Sequence, residues 1–108
     1  MMSRKYNYTH YFKLLDEVNQ RYARMRDGYQ YDFKREIEPF LQSSVKIIDD
    51  ILLVRTDERF TEPSKEKLIA TFNELIMSCH AERMSLKLFT EQTKYINVWL
   101  KHIESNRL

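Results

Sequence analysis

One glycine and two prolines in 108 residues leave this chain few places to turn tightly. Sandwiches and barrels turn after every short strand, and tight turns draw on those residue types. The chain is therefore limited to few, long elements, and long elements in a small domain are helices. A hydrophobic share of 43% is enough for one modest core.

The apolar residues recur with the helical period. Tyr11, Leu15, Val18, Tyr22 and Met25 lie at steps of three and four, so one stripe runs along a first helix over about residues 6–27. Lys13, Asp16, Glu17 and Arg24 fall on its other faces, and Gly28 supplies a C-terminal stop. Asp32 is a good N-cap for a second helix over about 32–58, with the stripe Ile37, Leu41, Ser44, Ile48, Ile51, Leu52 and Arg55. Pro39 interrupts it, because proline lacks an N–H and disfavours helix at the residue before it. The expectation is a helical turn over 32–38 joined to a longer helix, or one helix kinked near Pro39.

The run Phe60-Thr61-Glu62-Pro63-Ser64 reads as a loop, with Thr61 or Ser64 as the next N-cap and Pro63 in a first turn. A third helix over about 64–80 carries Leu68, Phe72, Leu75 and Cys79, flanked by Ile69 and Ile76. No glycine or proline marks its end between His80 and Ser85. The fourth, over about 86–104, carries Phe89, Thr93, Ile96, Leu100 and Ile103 in the alternating steps of a bundle seam. Isolated helices are marginal in water, so the four stripes must share one core. Short connections make successive helices antiparallel, which predicts an all-α, up-down-up-down four-helix bundle spanning 1–108.

The charge is nearly balanced, with 18 basic and 16 acidic residues, so no clustered positive field for nucleic acid is expected. No stretch approaches the length of a membrane span, and the N-terminus MMSRKYNYTHYF lacks a signal-peptide core. The single Cys79 suits a reducing compartment, and the expected location is cytoplasmic.

Motifs that carry chemistry are scarce. There is no Glu-x-x-His of the di-iron bundles, and His10, His80 and His102 lie near helix ends, where surface histidine is the plain reading. Cys79 sits on an apolar stripe, and His80 beside it points about 100° away, a poor activating base. The lone Gly28 cannot build a phosphate loop. The pairs Asp49-Asp50 and Asp57-Glu58 diverge on a helix and read as solvated. Ser44 and Thr93 are expected to satisfy their hydroxyls on a backbone carbonyl one turn earlier, and Arg55 to snorkel or meet an acid of a neighbouring helix. Glu74 reads as a surface charge pair or a partner contact. No enzyme, metal or cofactor is expected from these residues.

Tyr31-Asp32-Phe33, Ile37, Pro39, Val54-Arg55, Lys65-Glu66, Phe72, Glu74-Leu75, Phe89, Thr93 and Leu100 together resemble the YppE-like family of small proteins from low-GC Gram-positive bacteria. The resemblance covers roughly 31–103; the first helix matches only in character. It implies a cytosolic four-helix bundle and carries over no active site. The segment His80-Ala81-Glu82-Arg83-Met84 holds one histidine where a member of that family has several, which weakens a shared histidine metal site.

Two helices carry more apolar surface than one stripe needs. Leu88, Tyr95 and Trp99 form a second row on the fourth helix, and Phe40, Ile47, Ile51 and Val54 do so on the second. Such rows mean either a deeper core position or a patch that binds a partner. Trp and Tyr are enriched at binding hot spots. The expected function is therefore a non-catalytic interaction module for an unknown protein partner or a second copy of itself. The competing class is a bundle with an interior pocket for a small ligand or metal, to which Tyr11, Tyr22 and Tyr95 would lend polar groups.

Overall fold

A computed structural model describes residues 8–108. Its helices are α1 (Thr9–Arg26), α2 (Glu38–Asp49), α3 (Glu62–Ser78) and α4 (Leu86–Ser105). A π-helical turn, Phe33–Ile37, leads into α2, and a 3-10 turn, Asp50–Leu53, follows it. The described residues contain no strand. The first residues of the predicted first helix, Tyr6 and Asn7, lie outside the described residues.

Contacts between helix ends give the direction of each neighbour. Arg21, late in α1, lies 4.0 Å from the ring of Phe40, early in α2. His10, early in α1, meets Asp50 beyond α2 at 3.4 Å. Lys65, early in α3, donates to the carbonyl of Leu52 at 3.2 Å. Glu74, late in α3, accepts from Gln92, early in α4, at 3.0 Å. Tyr22 stacks on Phe89 at 3.9 Å and closes the ring between α1 and α4. Neighbours run antiparallel, so the four helices form the up-down-up-down bundle that the stripes predict.

The four stripes meet in one core. Val18, Ile48, Leu68, Phe72, Leu75, Cys79, Ile96 and Ile103 are buried, and the loop residue Phe60 joins them. Full burial of each large side chain is worth roughly 1.5–3 kcal/mol, which is how marginal helices stabilise one another.

Local chemistry sets the helix ends. Gly28 has φ +105 and its N–H bonds the carbonyl of Met25 at 3.0 Å, while Tyr29 N–H bonds that of Arg24 at 3.0 Å. That is the two-bond Schellman closure, and it uses Gly28 because the positive φ would strain any side chain there. Asp32 caps the π turn by accepting from Arg35 N–H at 2.8 Å, and Glu36 returns the favour on Asp32 N–H at 2.9 Å. Thr61 accepts from Ser64 N–H, and Ser85 from Leu88 N–H at 3.1 Å. Pro39 and Pro63 sit in first turns, where an N–H is not needed.

The chain departs from its sequence pattern in the second helix. The turn expected over 32–38 is there as the π turn joined to α2, but the expected end near residue 58 is wrong: α2 ends at Asp49, tightens into the 3-10 turn, and is extended at Val54 (ψ 138). Of the expected stripe, Ser44, Ile48 and Ile51 are buried, whereas Leu52 is 61% exposed and Arg55 is exposed. Tertiary partners terminate the helix. The Leu52 carbonyl is taken by Lys65 Nζ, and Arg55 N–H bonds the Leu108 carbonyl at 3.1 Å. Among the described residues Arg55 meets no acidic side chain; its guanidinium donates to the Arg107 carbonyl at 2.9 Å. The Thr93 hydroxyl donates to the Thr90 carbonyl at 3.0 Å, as its helix position suggests. Buried Ser44 does not follow that pattern: its hydroxyl has no partner among the described residues.

Candidate functional site

The bundle has two differently built ends. At one end the close of α1, the π turn, the start of α2 and the close of α3 converge on Arg21. Its Nε donates to Glu17 at 3.1 Å, and its Nη1 lies 3.4 Å from the Glu36 carbonyl and 3.0 Å from His80 Nε2. The guanidinium also covers Phe40 at 4.0 Å and Tyr31 at 5.1 Å. A guanidinium can only donate, so His80 Nε2 is the acceptor. The ring proton then belongs on Nδ1, 3.4 Å from the Met77 carbonyl. Tyr31 and Phe40 meet the imidazole edge-on at 4.9 and 5.6 Å. Burial, and after it the Arg21 charge, hold His80 below the ordinary histidine pKa.

Cys79 lies against that imidazole, its Sγ 3.7 Å from Nδ1, but the thiol donates to the Ile76 carbonyl. Burial pushes it up to about 12, so it stays protonated at neutral pH and offers no thiolate. Tyr22, expected to lend its hydroxyl to a pocket, spends it on the Met84 carbonyl at 2.7 Å. This bond pins the α3–α4 connection to α1.

At the opposite end, Asp57 collects Phe60 N–H at 2.6 Å, Arg59 N–H at 3.0 Å and His102 Nε2 at 2.8 Å. Those bonds, the Phe60 N–H foremost, hold its carboxyl below the usual range. Trp99 packs 5.0 Å from Phe60 and meets His102 edge-on at 5.4 Å. Tyr11, which stands 4.0 Å from His10, is pushed up to about 12, by burial first and then by Asp50. The plain surface reading of Asp57, His80 and His102 is thus corrected: each holds a tertiary contact.

The two apolar rows divide. Phe40 and Val54 are core residues, 5% and 6% exposed, so they form no surface. Ile47, Tyr95 and Trp99 are partly buried against the core. Ile51 is fully buried, and Leu88 alone of the seven is exposed, at 46%. It opens on a groove of about 240 Å³ between α3 and α4, lined by Lys67, Thr71, Glu91, Gln92 and Tyr95. The Lys67 ammonium stands 5.2 Å over the Tyr95 ring. Glu74, exposed, bridges to α4 through Gln92, and among the described residues it pairs with no cation. A larger open groove, of about 490 Å³, runs between α1 and α4 over Tyr22 and Phe89. Among the described residues no three His, Cys, Asp or Glu side chains come together as a metal set, and no helix is long and apolar enough to cross a membrane.

The Arg21 cluster escaped the sequence reading because its members lie far apart in the chain. The one available signal was Arg21 itself, a cation at the edge of the α1 stripe, one turn after the core position Val18.

Fold and site together define an all-α four-helix domain whose helix ends are tied to one another by side-chain hydrogen bonds and ring contacts. Within that class, the chain belongs to DUF1798, a bacterial domain of unknown function, whose family model matches residues 9–106. No curated protein and no solved structure matches the chain.

Proposed function

We propose that this domain is a non-catalytic, cytoplasmic interaction module, of the YppE-like kind, that pairs with a second copy of itself through the α3–α4 groove. One observation carries the reading: Leu88 stands exposed beside a groove whose rim alternates Lys67 and Glu91 around the Tyr95 ring. A rim of both signs around an apolar centre is self-complementary, which suits the two-fold pairing by which most homodimers form. Trp99 is no part of that surface, since it packs on Phe60 and His102.

The test is sedimentation of the wild type and of Leu88→Glu over a wide concentration range. The wild type associates, and the variant stays monomeric. Because Leu88 lies off the core, the variant keeps its stability to within about 0.5 kcal/mol. A wild type that stays monomeric at high concentration overturns the pairing.

A ligand-binding reading finds its support in the larger α1–α4 groove, where Asn19, Arg26 and Asp27 stand beside the stacked Tyr22 and Phe89. A thermal-shift screen separates the two, because a ligand that binds only the folded state raises the melting temperature.

A further inference from the structure

We propose that Arg21 and His80 form an acid-sensitive latch that holds the connection from Gly28 to Ile37 against the ends of α1 and α3. One guanidinium ties three elements together: it donates to His80 after α3, reaches the Glu36 carbonyl in the π turn, and grows from α1. The rings of Tyr31 and Phe40 close around the same pair. Tyr31 is held there by its ring alone, because its hydroxyl has no partner among the described residues.

A proton on His80 Nε2 removes the acceptor and leaves two cations 3.0 Å apart. In a half-buried junction such repulsion is weakly screened. The groups facing the imidazole offer little relief. From α1 come Arg21 and Glu17, the latter already engaged by Arg21 Nε. From the π turn comes Glu36, whose carboxylate is taken by the Tyr29 hydroxyl and Asp32 N–H. Arg24 of α1 adds a second cation over Tyr29 and Tyr31. From its own side, among the described residues, His80 meets the protonated Cys79 thiol and the Met77 carbonyl.

The lowered His80 pKa has the matching sign. An opened connection binds the proton more readily than the closed one. The latch is therefore at full strength above the ordinary histidine value of about 6.5. It weakens as the pH falls toward the lowered value and loses nothing further below it.

The experiment is amide hydrogen exchange of residues 28–37, corrected for intrinsic rates, from about pH 7.5 to about pH 5.5. In the wild type the opening of this segment increases with acid, about tenfold for each pH unit that separates the two histidine values. His80→Gln stays neutral and keeps an acceptor for Arg21, so its profile is flat. Glu36→Gln keeps the acid response. A flat wild type, a His80→Gln that still responds, or a Glu36→Gln that does not, each overturns the latch. Direct NMR titration of the wild-type His80 imidazole stands apart from any folding defect in the variants. A midpoint at or above the ordinary histidine value overturns the latch by itself.

Discussion

The two ends of the bundle each hold a partly buried histidine, and they give it opposite neighbours. His80 faces the Arg21 guanidinium at 3.0 Å, and His102 faces the Asp57 carboxylate at 2.8 Å. A proton added at the first site meets a cation; at the second it meets an anion. Both ends join ring contacts to side chains that take up free backbone groups, so the partner of the histidine is what distinguishes them. Lys65 takes the Leu52 carbonyl, Arg55 the Arg107 carbonyl, and Asp57 the N–H groups of Arg59 and Phe60. The same residue type thus acts in two ways, and its surroundings decide which.

The largest expected effect is on what the ends share. Phe72 is fully buried in α3 between them. Phe72→Ala should cost about 3–5 kcal/mol in urea unfolding. Amide exchange should speed up at both ends together; loss at one end only would show that they open as separate units.

Lys65→Met comes next. It keeps the apolar stem but drops the bond to the Leu52 carbonyl, at a cost of about 1–2 kcal/mol. The loss should appear in the exchange of residues 50–55 and leave the Arg21 end unchanged. Equal loosening at both ends would erase the distinction drawn between them.

The smallest effect separates the ends by pH. The lowered pKa of Asp57 means that its contribution is complete above the ordinary carboxylate value of about 3.9 and is lost as the pH falls through the lowered one. The stability gap between wild type and Asp57→Asn should therefore be constant near neutrality and close only in strong acid. The His80 end responds at higher pH, between neutrality and its own lowered value. A gap for Asp57→Asn that closes already in the histidine range would merge the two responses.

Much of the fold was legible along the chain. The stripes of α1, α3 and α4 named their core residues because helical spacing alone decides which side chains share a face. Gly28, Asp32 and Thr61 mark helix ends by local chemistry, a positive φ or a short side-chain acceptor, whereas the Ser85 cap of α4 came only from the structure. The end of α2 was not legible. Asp49 to Val54 holds no glycine or proline, and the groups that relieve the broken helix come from Lys65 and the C-terminal residues. The row on α2 misled for a related reason. Phe40 and Val54 extend the apolar arc of their helix, but only the neighbouring helices show whether an arc is covered.

Sequence alone therefore determined that this chain is helical, where three of its four helices lie, and which faces they hide. Those properties depend on residues within a turn or two of each other. Tertiary structure alone decided that Arg21 meets His80 across 59 positions and that Asp57 meets His102 across 45. Which group a partly buried imidazole meets depends on what lies across the gap, and no periodicity along a single helix carries that information.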